Sequence, residues 1–452
     1  MSAERAAGSG DSSRSANHAS ARHPPSIRSA LELKRCPAEA VLDHVGPGAD
    51  VIAGLANGEP VTVIDALEDG AERLSDVRVH RMLPLRPRPY IDGRVSNLRH
   101  VSWFLGPHDR PAFHRGDCDL IVNNFSEVPA LMRRATKRSL VVAAAAPPDR
   151  HGYFSLGPHA EYVASMIGEV PFFLEANAQM PRMFGEHQVH VSQLVGWCGA
   201  DYPLIEAPPR PATETDRRIA ELVVERVEDG ATIQAGIGSV PDQVLGLLSD
   251  HRELGVHTEL MSDGFVDLIE GGAITGTRKA THPNRVITTS VFGSRRLLDF
   301  AAENAGIELW PVDYTNDPRN LGREPLMTAI NATLEVDFLG QCASESLGTD
   351  YWSSSGGQAD FTRGALFAEH GQSFIVLHST TSADSHSRIV PTLRPGAAVT
   401  AYKNIVDKVV TEHGVAELHG QSIRERTKRL IAVAHPKFRD ELTASGREFG
   451  YL

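Results

Sequence analysis

Three prolines within four residues, in the run Glu206-Ala-Pro-Pro-Arg-Pro-Ala212, set the strongest limit on how this chain folds. Proline has no N–H and a fixed φ, so such a run neither continues a helix nor pairs within a central strand. The run predicts an interdomain linker over 206–212, between an N-terminal domain over 31–205 and a C-terminal domain over 213–452. A chain of 452 residues, 41% hydrophobic and 23% charged, has apolar material for two sizeable cores. Residues 1–30 are the exception. Met1 and Ile27 are the only large apolar side chains in this Ser-, Ala- and Arg-rich stretch. It cannot bury enough surface to offset its ordering entropy, which predicts a disordered tail.

Charge and cysteine usage narrow the function classes. A formal net charge of -12 opposes a chain-wide grip on nucleic acid, which needs a basic surface. The longest apolar candidate, Leu140 to Pro148, falls well short of the roughly 20 residues of a membrane span. Cys36, Cys118, Cys198 and Cys342 are widely spaced with no CxxC, which fits a reducing compartment. The expected location is the cytoplasm, with a mitochondrial address as the alternative if the tail serves as a transit peptide.

Periodicity in the second half predicts a helix over Thr213 to Val227, capped by Thr213 or Thr215. A strand over Ala231 to Ala235 and a helix over Pro241 to Leu248 follow. Further strands are expected at Val286 to Val291, Phe374 to Leu377 and Lys408 to Thr411, with helices at Ser294 to Asn304 and Ile423 to Ala434. In the first half, strands are expected at Val51 to Ala53, Val61 to Ile64, Leu120 to Asn123 and Leu140 to Ala144. Such alternation predicts an α/β fold with a mainly parallel sheet in each domain, flanked by helices.

Three runs carry candidate chemistry. Gln234-Ala-Gly-Ile-Gly-Ser-Val-Pro-Asp242 turns from a strand into a helix. Gly236 and Gly238 allow close backbone approach, and free amides at the helix start favour an anionic or carbonyl oxygen. The run lacks both the dinucleotide fingerprint and a Walker A lysine. In Leu254-Gly-Val-His-Thr-Glu-Leu-Met-Ser-Asp-Gly264, Glu259 sits among apolar residues near a strand end, where a carboxylate is costly unless paired or functional. Asp263-Gly264 reads as a turn. In Tyr351-Trp-Ser-Ser-Ser-Gly-Gly-Gln-Ala-Asp360, Gly356 and Gly357 again let the backbone close in. A plain polar turn with an Asp360–Arg363 surface ion pair is the alternative there. No histidine or cysteine spacing suggests a metal site.

Taken in order with Pro147-Pro-Asp-Arg-His-Gly152, Glu175-Ala-Asn-Ala-Gln-Met-Pro-Arg182, Ile330-Asn-Ala-Thr-Leu-Glu-Val-Asp337, Ser387-Arg-Ile-Val-Pro391 and Ala434-His-Pro-Lys-Phe-Arg439, these runs resemble the acetyl-CoA hydrolase/transferase family. The resemblance implies two α/β domains with the active site between them, and Glu259 as the catalytic glutamate. It implies a CoA-binding loop over Gly236, Ile237, Gly238, Ser239 and Val240, and a CoA-contacting Asn331. It also implies a backbone contact to the thioester region from Ser354, Gly356 and Gly357. Ser354 stands where the family usually has glycine, which matters if the site requires a positive φ. His413 stands where the family usually has tyrosine.

The chemistry so implied is CoA transfer from an acyl-CoA to a small carboxylate. Glu259 attacks the thioester, a glutamyl-CoA thioester forms, and the kinetics are ping-pong. Hydrolysis through the same glutamate, or acyl-CoA binding without turnover, uses the same residues. Neither a metal nor a tightly bound cofactor is expected, nor a nucleic-acid or membrane partner. Acyl-CoA and carboxylates are the expected substrates, and a homo-oligomer, dimeric or higher, is the expected assembly.

Overall fold

The computed structural model describes residues 26–137, 139–208 and 211–452. Most of the expected tail, residues 1–25, and part of the expected linker, residues 209–210, lie outside the described residues. Residues 26–30 differ from expectation, because a helix spans Ile27–Lys34. Ser26 caps it by accepting from the Ser29 N–H at 3.2 Å. Lys34 then docks it by donating to the Val191, Ser192 and Leu194 carbonyls at 2.6–3.1 Å.

Two large sheets organise the described residues. The first has seven strands, all parallel. In spatial order they are Leu194–Ala200, Phe172–Asn177, Leu140–Ala145, Asp50–Ala53, Val77–Arg81, Leu98–Ser102 and Cys118–Leu120. The second has nine: Gly414–Glu417, Lys408–Thr411, Gln372–Val376, Met327–Ala332, Thr232–Ala235, Gly255–Met261, Val286–Val291, Ile307–Leu309 and Phe184–Gly185. Only the Lys408–Thr411 and Gly414–Glu417 pair is antiparallel.

Set aside the outermost strand at each end of the second sheet, and the two sheets share one topology. In each, the first strand is central, the next three step away on one side, and the last three step away on the other. Helices cover both faces, so the inner strands are largely buried while the edge strands keep exposed residues. Leu140–Ala145, Phe172–Asn177 and Val286–Val291 have every residue buried. Phe184–Gly185 belongs to the first half yet pairs with Ile307–Leu309 at the edge of the second sheet. Further bonds cross the seam: Ala160 N–H to Thr289 C=O at 2.9 Å, Val291 N–H to Pro158 C=O at 2.8 Å and Phe125 N–H to Gly356 C=O at 3.1 Å. No helix among the described residues is long and apolar enough to cross a membrane.

Most second-half elements match their predicted positions within a few residues, including Val286–Val291 and Lys408–Thr411. Three further readings are corrected. The β-branched run Val61 to Ile64 is not a strand but the start of the helix Val61–Asp69. The cause is the buried Glu175 carboxylate, which accepts from the N–H groups of Val61, Thr62 and Val63 at 2.7–3.2 Å. It satisfies donors that a helix start leaves free, and a negative charge suits that end of the helix. The strand expected at Leu120 to Asn123 lies earlier, at Cys118–Leu120. There the chain pairs with Leu98–Ser102 and then leaves the sheet toward Phe125. Asp263-Gly264 is no turn, because Asp263 opens the helix Asp263–Glu270 and its carboxylate accepts from the Ser294 N–H at 2.9 Å.

Replacing Glu175 by alanine strips three backbone donors and the Tyr202 hydroxyl of their shared acceptor. Glu175→Ala is expected to cost about 2–4 kcal/mol, read from the urea midpoint at constant slope. A loss below about 0.5 kcal/mol would show that another group caps this helix.

Candidate active site

In open parallel sheets, ligands gather beyond the carboxyl ends of the strands, where neighbouring strands continue in opposite directions. Both sheets turn that edge toward one cavity of about 210 Å³. From the first sheet come Leu55, Met82, Leu83 and Phe104, each just past the end of a strand, and Phe125, which opens the turn after the strand Cys118–Leu120. From the second come Gly236 and Ile237 after the central strand, Glu259 and Leu260 on the next, and Asn331 and Ala332 on the strand across the switch. The segment Ser353 to Gln358 closes the remaining side.

Glu259 lies on the strand Gly255–Met261, and its carboxyl group reaches the cavity. The Asn316 Nδ2 donates to its Oε2 at 2.7 Å, and the Gly357 N–H also donates to the carboxylate. Burial pushes the group from its ordinary 4.5 up to about 7, although both hydrogen bonds pull the other way. A Cβ on Gly357 would sit 2.0 Å from Glu259 Oε2 and 2.5 Å from Asn316 Nδ2. Glycine is required there for space, since its φ of -93° is open to other residues. Asn316 is fully buried and carries no motif that marked it in the sequence.

The glycine segment is held from the opposite half. The Phe125 N–H donates to Gly356 C=O, and the Ser126 N–H and Oγ donate to Asp360 at 3.0 and 2.8 Å. Asp360 is therefore not in the surface ion pair considered above. It is buried, and Arg363 instead donates to the Tyr402 hydroxyl at 2.9 Å. Burial, with the nearby negative charge of Glu259 as a lesser cause, pushes Asp360 up to about 8. Ser354 is buried and does not take a positive φ. The residue that does is Gly356, at +56°, so serine in place of the family glycine fits without backbone strain.

Of the residues singled out in the sequence, Gly236, Ile237, Glu259, Asn331, Ser354, Gly356 and Gly357 line this cavity. Asn331 and Gln234 exchange amide hydrogen bonds at 3.1 Å, tying the two strands on either side of the switch. Gly238, Ser239 and Val240 line an adjacent cavity of about 260 Å³, with Asp216, His378 and Arg388, and Ala332 borders both cavities. Gly238 has a φ of +136° and leads into the helix Ser239–Leu247. Sequence reasoning missed Asn316, Gln234 and the apolar wall from the first half. No group of three or more His, Cys, Asp or Glu among the described residues is disposed to hold a metal ion.

The raised Glu259 couples stability to pH. Its proton is held more tightly in the folded chain, so stability falls as pH rises from about 4.5 to about 7, by up to about 3 kcal/mol, and stays lower above. Glu259→Gln removes that loss. Its thermal midpoint is expected to match wild type near pH 4.5 and to exceed it at pH 8. Equal midpoints at both pH values would show that the carboxyl group is not held in a desolvated site.

Residues 26–212 match the acetyl-CoA hydrolase/transferase N-terminal domain, and residues 293–445 match the C-terminal domain. Glu259 and the glycine turn lie between the two matched segments. The chain is 40% identical to the succinyl-CoA:cyclohexane-1-carboxylate CoA transferase of Geobacter metallireducens, over 87% of this chain and 91% of that one. It is 36% identical to the 4-hydroxybutyrate coenzyme A transferase of Clostridium kluyveri, over 90% of this chain and 95% of that one. Its structure is similar to that of RipA from Yersinia pestis, with a TM-score of 0.89 and 32% identity, covering 95% of this chain and 100% of the other.

Proposed function

This chain belongs to the acetyl-CoA hydrolase/transferase family, and we propose that it transfers CoA from an acyl-CoA to a small carboxylate through a glutamyl-CoA thioester on Glu259. The observation that carries this reading is the desolvated Glu259 carboxylate, held through Oε2 by Asn316 and open to a cavity between the two sheets. A carboxylate near pH 7 in its basicity is a better nucleophile than an ordinary one, and is still ionised in half the molecules at neutral pH.

The steps balance without an external base. The Glu259 carboxylate attacks the thioester carbonyl, and the C–S bond breaks to release CoA thiolate. This leaves an acyl-glutamyl anhydride. The thiolate attacks the glutamyl carbonyl, the anhydride C–O bond breaks, and the first carboxylate departs. An incoming carboxylate runs the same steps in reverse, giving ping-pong kinetics. Backbone N–H groups of the Ile237–Gly238 turn and of the Ser354 to Gly357 segment serve the developing oxyanions.

The two adjoining cavities suit the two ends of coenzyme A. The thioester end lies beside Glu259. The anionic end lies past the glycine turn, where Ser239 and Val240 open a helix of nine residues and Arg388 supplies a cation. Asn331, tied to Gln234, supports the wall between them.

The test is to mix the enzyme with acetyl-CoA and one short carboxylate at a time and to follow all CoA species. A new acyl-CoA with little free CoA in the acid-free control is the expected result. Free CoA released equally in every mixture would make the protein a hydrolase. Glu259→Gln is expected to lower transfer at least about 10³-fold while CoA binding persists. The wild-type rate at limiting substrate is expected to rise with pH through about 7, as Glu259 ionises. A rate that is flat from pH 5.5 to 8.5 would assign the nucleophile elsewhere.

A further inference from the structure

We propose that the first-sheet side of the cavity selects a monocarboxylate with an apolar body, and that Leu83 is the residue that sets this preference. The proposal rests on Glu259 being the nucleophile, because that fixes which end of the cavity receives the body of the acid.

The wall facing Glu259 is built from Leu55, Met82, Leu83, Phe104 and Phe125. Leu55 follows the strand Asp50–Ala53, Met82 and Leu83 follow Val77–Arg81, Phe104 follows Leu98–Ser102 and Phe125 lies beyond Cys118–Leu120, so the wall is a property of the sheet rather than of one loop. Among the described residues that line the cavity, Glu259 is the only charged one, and no Lys, Arg or His joins it. Arg81, next to Met82 in the chain, is fully buried, paired with Glu59 and absent from the lining. A second carboxylate carried into this chamber would therefore be desolvated without a counter-charge, whereas a methyl or methylene group is favoured there.

Leu83 is singled out by its backbone. Its φ is +44°, a region that non-glycine residues rarely adopt and that persists where the surroundings impose it. The surroundings here are specific. The Leu83 N–H donates to Phe104 C=O at 3.4 Å. A Cβ on Gly106 would lie 3.2 Å from the Leu83 side chain, so glycine at 106 leaves the room that this side chain occupies. The neighbouring wall residue Leu55 is likewise pinned, by its N–H donating to the buried Glu161 at 2.8 Å. Glu161 itself has a φ of +40° and takes its position from Thr289 on the opposite sheet, whose Oγ1 accepts from the Glu161 N–H at 2.9 Å. The apolar wall is thus held against the strand beside Glu259, and its shape is not free to adapt to a polar guest.

Butanoate and succinate share a four-carbon backbone and differ only in a terminal methyl or carboxylate, so they isolate the effect. With the full chain and acetyl-CoA as donor, kcat/KM for butanoate is expected to exceed that for succinate by at least about 100-fold. Leu83→Arg places a cation in the wall and is expected to move that ratio toward succinate by at least about tenfold. Leu83→Ala adds room without charge and is expected to favour hexanoate over butanoate relative to wild type. Each variant is checked for a wild-type-like thermal transition.

Succinate used within a few-fold of butanoate by the wild type, or ratios that neither folded variant moves, would overturn the chamber assignment while leaving CoA transfer intact. Failure of every acid to receive CoA would instead sink the transferase reading, and the chamber assignment with it.

Discussion

The desolvation of one carboxylate is the constraint around which this structure is arranged. An ionised group at the end of a buried parallel strand is disfavoured unless its surroundings compensate. Here they compensate only in part. Asn316 and the Gly357 amide support Glu259, yet burial still holds it near pH 7. More hydrogen bonds would make the carboxylate stable and unreactive, and fewer would keep it protonated at neutral pH. The absence of a Cβ at Gly357 follows from the same balance, because any side chain there would displace either the carboxylate or its amide partner. Asp360, pushed up to about 8 nearby, spares Glu259 a second full negative charge at neutral pH.

Duplicated topology explains why the site has two unlike walls. Each sheet presents its carboxyl edge to the same cavity, and the two edges differ in chemistry. The second sheet supplies the carboxylate, the amides and the glycine turn. The first supplies hydrocarbon. Neither half alone encloses the site. The bonds from Phe125 and Ser126 to the Gly356–Asp360 segment, and from Ala160 to Thr289, fix the distance between the walls. Proximity of this kind is a substantial part of catalysis, because a misplacement of about 1 Å costs about 10²-fold.

Much of the second half was legible in the sequence because its signals are local. A strand, a glycine turn and a proline within the first turn of a helix mark the 232–247 unit without help from distant residues. Glu259 stood out because carboxylates are rare in apolar strands. The first half was harder to read because its determinants are distant. Val61 to Ile64 has strand-like composition and becomes helix only because Glu175, more than a hundred residues later, caps it. Asn316 is invisible for the same reason, since nothing near it in sequence suggests a partner 57 residues earlier. The apolar wall could not be found from composition, because Leu55, Leu83 and Phe104 become neighbours only through the order of the strands. The glycine turn was legible as a motif, but the division of its residues between two cavities was not.

The measurement closest to the central claim is the mass of the protein itself, quenched in acid after mixing with an acyl-CoA in the absence of any acceptor acid. The account predicts a species heavier by one CoA less one water, located on the peptide that contains Glu259 and discharged when a carboxylate is added. Multiple turnovers of CoA transfer with no such species, or an adduct on any other residue, would contradict it.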